Sequence, residues 1–213
     1  MFIFACKEKS TPKEVVKTPV EFSQKLADEL EKMTEIDQVA AYIPQGEYKK
    51  LTQEEWQQFK DSVFTTNGNR LKELFKEHGF LGYDLVGKEG SQNFWLMVQH
   101  CDYDPDFQSA VLEKMKVQVE SQNAKPSNYA LLVDRVSLNT GKQQVYGTQV
   151  DYNMEICQAF AKNLADPNNV NERRKNIGLP PIETYLNQMS TMNFEMNKAY
   201  YTKKGIEKPT LYE

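Results

Sequence analysis

Asp104-Pro105-Asp106-Phe107-Gln108-Ser109-Ala110-Val111-Leu112-Glu113-Lys114-Met115-Lys116-Val117-Gln118-Val119 is the stretch that sets the fold class. An acidic residue followed by proline reads as a helix start. The carboxylate can accept from an otherwise unpaired amide of the first turn, and proline in the first helical position lacks only an N–H that has no helical partner there. Phe107, Val111, Met115 and Val119 then recur every four residues, which puts them on one face.

Working outward, the same signals repeat. Downstream, Pro126-Ser127 starts a helix carrying Tyr129, Leu132, Val133 and Val136, closed by Asn139-Thr140-Gly141. Upstream, Ser91 to His100 reads as a short buried helix through Phe94, Trp95, Met97 and Val98, after a connecting loop from Phe80 to Gly87. A first helix over 20–41 presents Phe22, Leu26, Leu30 and Met33 on one side, and Pro44 and Gly46 end it. Thr52 and Glu55 have capping-box spacing ahead of Trp56, Phe59 and Val63. Thr65-Thr66-Asn67-Gly68-Asn69 reads as a break, with a separate helix from Arg70 to His78 and Gly79 as its C-terminal residue.

A strand signal enters late. Gln144-Val145-Tyr146-Gly147-Thr148-Gln149-Val150 is rich in β-formers, with Met154 to Cys157 as its expected partner. Asp166-Pro167-Asn168-Asn169 then opens a short helix through Arg173-Arg174, Gly178-Leu179-Pro180-Pro181 turns the chain, and a last helix is expected over 182–199. The predicted fold is mainly α, one helical domain over 20–203 with a small inserted β-hairpin, preceded by a start and tether over 1–19 and followed by a frayed tail over 204–213.

Composition narrows the function classes. A chain of 213 residues is long enough to bury a substantial core, and a formal net charge of −4 argues against a dedicated nucleic-acid binder. No apolar run reaches the length of a membrane-spanning helix. Met1-Phe2-Ile3-Phe4-Ala5-Cys6 followed by Lys7-Glu8-Lys9-Ser10 resembles the end of a bacterial lipoprotein signal, with a small residue before the cysteine and a polar tether after it. Cys6 is therefore the expected lipidation site, and the cell envelope, periplasmic or surface, the expected location; a cytoplasmic protein with a greasy start is the alternative. Cys101 and Cys157 are expected as two separate buried thiols, with a disulfide as the alternative.

The chemistry-bearing residues cluster in the middle and late segments. His100 ends an apolar helix, and Asp134-Arg135 places two charges in a helix that is apolar on neighbouring turns. Buried charges need partners. Asp134 is the expected orienter of the His100 imidazole, which makes His100 a candidate general base. Arg135 would supply a planar cationic fork for an anionic or carbonyl group. Asp102, Tyr146, Thr148, Gln149 and Arg173 are the candidate ligand-binding residues, with Gly147 allowing a ligand to approach. His100-x-Asp102-x-Asp104 could offer three donors to a metal, but Asp104 is better explained as a helix cap, and Phe107 stands where a calcium loop needs glycine. Neither a metal nor a cofactor is expected. The expected partner is a small molecule or envelope component, with hydrolysis the favoured reaction class; a non-catalytic binding or scaffolding domain is the competing reading.

Several of these pieces together resemble a bacterial protein family known only as a domain of unknown function. The resembling stretch runs from Asp37-Gln38 to Tyr185. It includes Trp95-Leu96-Met97-Val98-Gln99-His100-Cys101-Asp102, Phe107-Gln108, Asp134-Arg135, Gly141 with Gln144, Tyr146-Gly147-Thr148-Gln149, Arg173-Arg174 and Gly178-Leu179-Pro180. The chain departs from that pattern at Ala41, where the resemblance leads one to expect an arginine nearby. The resemblance implies a bacterial origin and a shared fold, and brings no reaction with it.

Overall fold

The computed structural model describes residues 20–213. Cys6 and the tether over 7–19 lie outside the described residues. Among the described residues the helices are α1 (Gln24–Ala41), α2 (Gln53–His78), α3 (Tyr83–Val98), α4 (Pro105–Glu120), α5 (Pro126–Asn139), α6 (Val170–Asn176), α7 (Ile182–Met196) and α8 (Lys198–Lys203). Two strands, β1 (Val150–Asn153) and β2 (Gln158–Ala161), pair antiparallel, with Val150 opposite Ala161 and Asn153 opposite Gln158. The mainly α architecture with one small hairpin is thus as the sequence predicts.

The helix starts follow local chemistry. Asp104 accepts from the Phe107 amide at 3.1 Å with Pro105 behind it. Thr52 and Glu55 form a reciprocal capping box on α2. Phe94, Trp95, Met97, Val98, Phe107, Val111, Met115, Leu132 and Val136 join Leu30, Leu71 and Leu74 in the main core, between α1 and α5. A second apolar cluster, around Ala159, Val170, Ile182 and Leu186, seats the hairpin on α6 and α7.

Four expectations are corrected. Asn67-Gly68 does not break the second helix, because α2 runs unbroken through both. Asn67 Nδ2 donates to the Met33 carbonyl on α1, and Gly68 makes room for Tyr103 and Cys101, so these residues serve close packing. The third helix begins earlier than expected, at Tyr83, and bends at Gly87, whose φ of 72° and ψ of 175° leave the helical region. The hairpin starts at Val150: before it Gln144 makes a single bridge to Leu164, and the Val145, Tyr146, Thr148 and Gln149 amides go to the Asp134 and Gln144 side chains. The tail beyond Lys203 is docked: the Tyr212 hydroxyl donates to the Ala159 carbonyl at 2.8 Å, and Asn187 brackets the Tyr212 backbone.

Cys101 and Cys157 are both buried and free, so no disulfide joins them. No helix among the described residues is long and apolar enough to cross a membrane.

Candidate functional site

The turn after α3 distributes its side chains in three directions. His100 reaches back to α1, where Nδ1 lies 2.8 Å from Asp37 Oδ2. Asp102 pairs with Arg135 of α5, Oδ2 to Nη1 at 2.6 Å. Asp104 caps α4 and accepts from Lys72 at 2.8 Å. The three donors of His-x-Asp-x-Asp therefore diverge. No group of three metal-ligating side chains converges among the described residues.

The His100 partner is Asp37, and Asp134 does not take that place. Asp37 is fully buried, its Oδ2 also accepts from Gln38 Nε2 at 3.1 Å, and its Oδ1 has no partner among the described residues. A buried carboxylate accepting from Nδ1–H holds the imidazole in the tautomer whose lone pair is on Nε2. The His100 ring rests on Phe64, centroids 4.9 Å apart, and its side chain keeps 21% exposure. Nε2 has no partner among the described residues.

On the other side of the same turn, Arg135 and Asp102 open onto a cleft of about 230 Å3 lined also by Asn139, Gln149 and Lys162. Gln99 Oε1 accepts from Arg135 Nε at 3.1 Å, while its own Nε2 is buried without a partner. Arg135 Nη2 makes no hydrogen bond among the described residues, so one edge of its fork is free. Burial pushes the Asp102 carboxyl up. Arg135, Asn139 and Gln108 together outweigh it and hold the group below the usual carboxylate range. Its Oδ1 accepts from Asn139 at 2.8 Å and from Gln108 at 3.1 Å, and Gln108 also bonds the Val98 carbonyl.

Asp134 has a different task. It is fully buried and accepts three backbone amides: Val145 at 2.7 Å and Tyr146 at 2.9 Å on Oδ1, Thr148 at 2.8 Å on Oδ2. It thereby folds residues 145–148 into a cup over the end of α5. Gln144 completes the cup. Its Oε1 accepts from the Gln149 amide at 2.8 Å, and its Nε2 donates to the Gln149 and Lys162 carbonyls.

The arginines of α6 hold the outer side of that loop. Arg173 donates to the carbonyls of Val145, Ala165 and Asp166. Arg174 is buried; it donates to Pro180 and Tyr146 carbonyls, each at 2.6 Å, and lies over the Tyr185 ring. The Tyr185 hydroxyl donates to the Thr148 carbonyl at 2.7 Å. Gly147 has a φ of 69°, and a Cβ there would meet Ile182 at 2.7 Å, so its missing side chain admits α7 and not a ligand.

The structure thus gathers Asp102, Arg135 and Gln149 at one cleft, gives His100 a partner on α1, and commits the backbone at Tyr146 and Thr148, with Asp134 and Arg173, to holding the late loop. Sequence reasoning missed Asp37, although that residue opens the resembling stretch. A carboxylate at a position flanked by apolar turns, with Ala40 buried beside it, was the available signal. It also missed Arg174, because a pair of adjacent arginines on a short helix looks solvated when its carbonyl partners are distant in sequence.

A family model described as a family of unknown function (DUF6624) matches residues 24–195. That span takes in α1 through nearly all of α7. No curated protein and no solved structure matches the chain.

Proposed function

The chain belongs to DUF6624, a family of unknown function, and from that premise we propose that its polar centre is an acid–base site that hydrolyses a small polar substrate. His100 is the general base, and Asp37 is the positioning residue that sets its tautomer. The observation that carries this reading is the buried Asp37 carboxylate 2.8 Å from Nδ1 of an imidazole that keeps 21% exposure.

The test is turnover of nitrophenyl esters, phosphates and glycosides by the purified protein. His100→Gln should reduce the active reaction by about 10²–10⁴-fold, the usual contribution of a general base, with the melting temperature near the parent's. Asp37→Asn should lower kcat more than it changes KM. Accessibility has its own readout. His78 is the only other histidine, so His78→Gln protein should still react with diethyl pyrocarbonate while folded. A folded protein that resists the reagent refutes the base.

A second reading, a non-catalytic binding or scaffolding domain, is favoured by one set of facts: Asp134, Arg173 and Arg174 spend their polar atoms on backbone partners. Under that reading His100→Gln lowers thermal stability and no substrate turns over.

The proposal extends to location. The small residue before Cys6 and the polar run after it support a lipid-anchored protein of the bacterial envelope. Metabolic labelling with an alkyne fatty acid checks it: the label should attach to the parent and be lost in Cys6→Ser.

A further inference from the structure

A second cavity, lined by none of Asp37, His100 and Arg135, lies between the start of α5 and the middle of α3. Its volume is about 510 Å3, and Tyr83, Ser91, Gln92, Met115, Lys125 and Asn128 line it. That size falls in the range of small-molecule sites.

Several of its polar groups are unspent. Ser91 is 3% exposed, yet its hydroxyl has no hydrogen-bond partner among the described residues. A serine inside a helix ordinarily bonds the carbonyl four residues back. Here that carbonyl belongs to Gly87, where the backbone leaves the helix. The hydroxyl is left to face the cavity. Across from it, α5 begins at Pro126 without a side-chain cap, and the Ser127 and Asn128 amides have no acceptor among the described residues. Free amides at the start of a fourteen-residue helix favour an anion. Lys88 and Lys125 stand at the rim with Glu89 as the one acidic group, a local excess of positive charge in a chain of net charge −4.

Asn128 adds a second preference. It is 6% exposed, its Nδ2 donates to Gln92 Oε1 at 2.6 Å, and its Oδ1 remains free to accept. Its backbone carbonyl accepts from the Trp95 indole at 2.9 Å, which fixes α5 against α3. Met115 supplies an apolar floor. The site therefore offers several donors to an oxyanion and one acceptor to a neighbouring hydroxyl.

We propose that this cavity binds a small hydroxylated oxyanion, held by the Ser91 hydroxyl and the start of α5, with Asn128 accepting from a ligand hydroxyl. The two sources of that chemistry, a sugar phosphate and a hydroxy acid, are separated by experiment. Amide and indole signals of 15N-labelled full-length protein are followed by NMR while glucose 6-phosphate, gluconate or glucose is added. Glucose 6-phosphate or gluconate should shift the Trp95 indole and the Ser127 and Asn128 amides saturably, and the tighter of the two names the oxyanion. The Trp56 indole, packed with Tyr48 and Phe59, should stay in place. Ser91→Ala should weaken binding about tenfold, the scale of one hydrogen bond to a charged group. Lys88→Gln with Lys125→Gln should weaken it and flatten its salt dependence. The proposal is overturned if neither anion moves these signals, if glucose moves them equally, or if Ser91→Ala protein with the parent's melting temperature binds as tightly.

Discussion

Replacing Asp134 by alanine should cost the fold about 4 kcal/mol. The carboxylate is fully buried and accepts three amides between 2.7 and 2.9 Å. Hydrogen bonds to a charged group contribute about 1.5–3 kcal/mol each. The three share one carboxylate and one loop, so they do not add in full. Leaving the Thr148 amide buried without an acceptor adds its own penalty, since Thr148 is itself buried. Asp134→Asn keeps the shape but turns one oxygen into a donor. With the oxygen kept toward Val145 and Tyr146, only the Thr148 bond is lost, and the cost should be about 2 kcal/mol. Urea denaturation with the slope checked for two-state behaviour gives both numbers. A chain of this size loses roughly 2–4 °C of melting temperature per kcal/mol, so the alanine variant should melt about 8–16 °C lower. If it falls by less than about 1 kcal/mol with an unchanged slope, the carboxylate does not organise residues 145–148, and the structural assignment of Asp134 fails.

Three other outcomes follow from the same geometry. Asp102 is raised by burial but lowered further by Arg135, Asn139 and Gln108, and Asp104 is lowered first by Lys72. Folded values below the unfolded value of about 3.9 mean both groups stabilise the fold above that pH, and the contribution fades as pH falls through the folded values. Asp102→Asn should therefore flatten the acid limb of stability against pH, and an unchanged limb counts against the Arg135 pairing. Gly147→Ala, at a positive φ and with Ile182 at 2.7 Å from the added carbon, should destabilise by about 1–3 kcal/mol in thermal melts; a neutral result would show that α7 can give way. Burial pushes the Cys101 thiol up to about 11, and Cys157 is fully buried. With Cys6 replaced by serine, neither thiol should react with a disulfide reagent until urea unfolds the chain.

The helices were legible because their signals are local. Asp104-Pro105, Thr52 with Glu55, and the four-residue apolar steps of α4 each depend on neighbours within one or two turns. What misled was chemistry with distant partners. Asn67-Gly68 carries the composition of a break, yet its meaning lies in Met33 and Tyr103, more than thirty residues away in either direction. Residues 144–149 have strand composition, but Asp134 and Gln144 claim four of their amides. The site divides in the same way. That His100 needs a carboxylate was readable from its place at the end of an apolar helix. Which carboxylate was not, since Asp37 and Asp134 are equally buried and only the crossing of α1 past α3 selects between them.

Gln144 behaves as a detached peptide unit. With one oxygen and one nitrogen it satisfies both main-chain groups of Gln149 and reaches the Lys162 carbonyl as well. Glutamate would lack the donor and asparagine would fall a methylene short, so no single replacement reproduces the rung. The consequence is felt at residue 149. Its main chain is anchored from outside, so its own carboxamide, at the cleft with Arg135, owes the scaffold little. That position can be re-tailored by substitution for whatever the cleft admits while the frame around it stays intact.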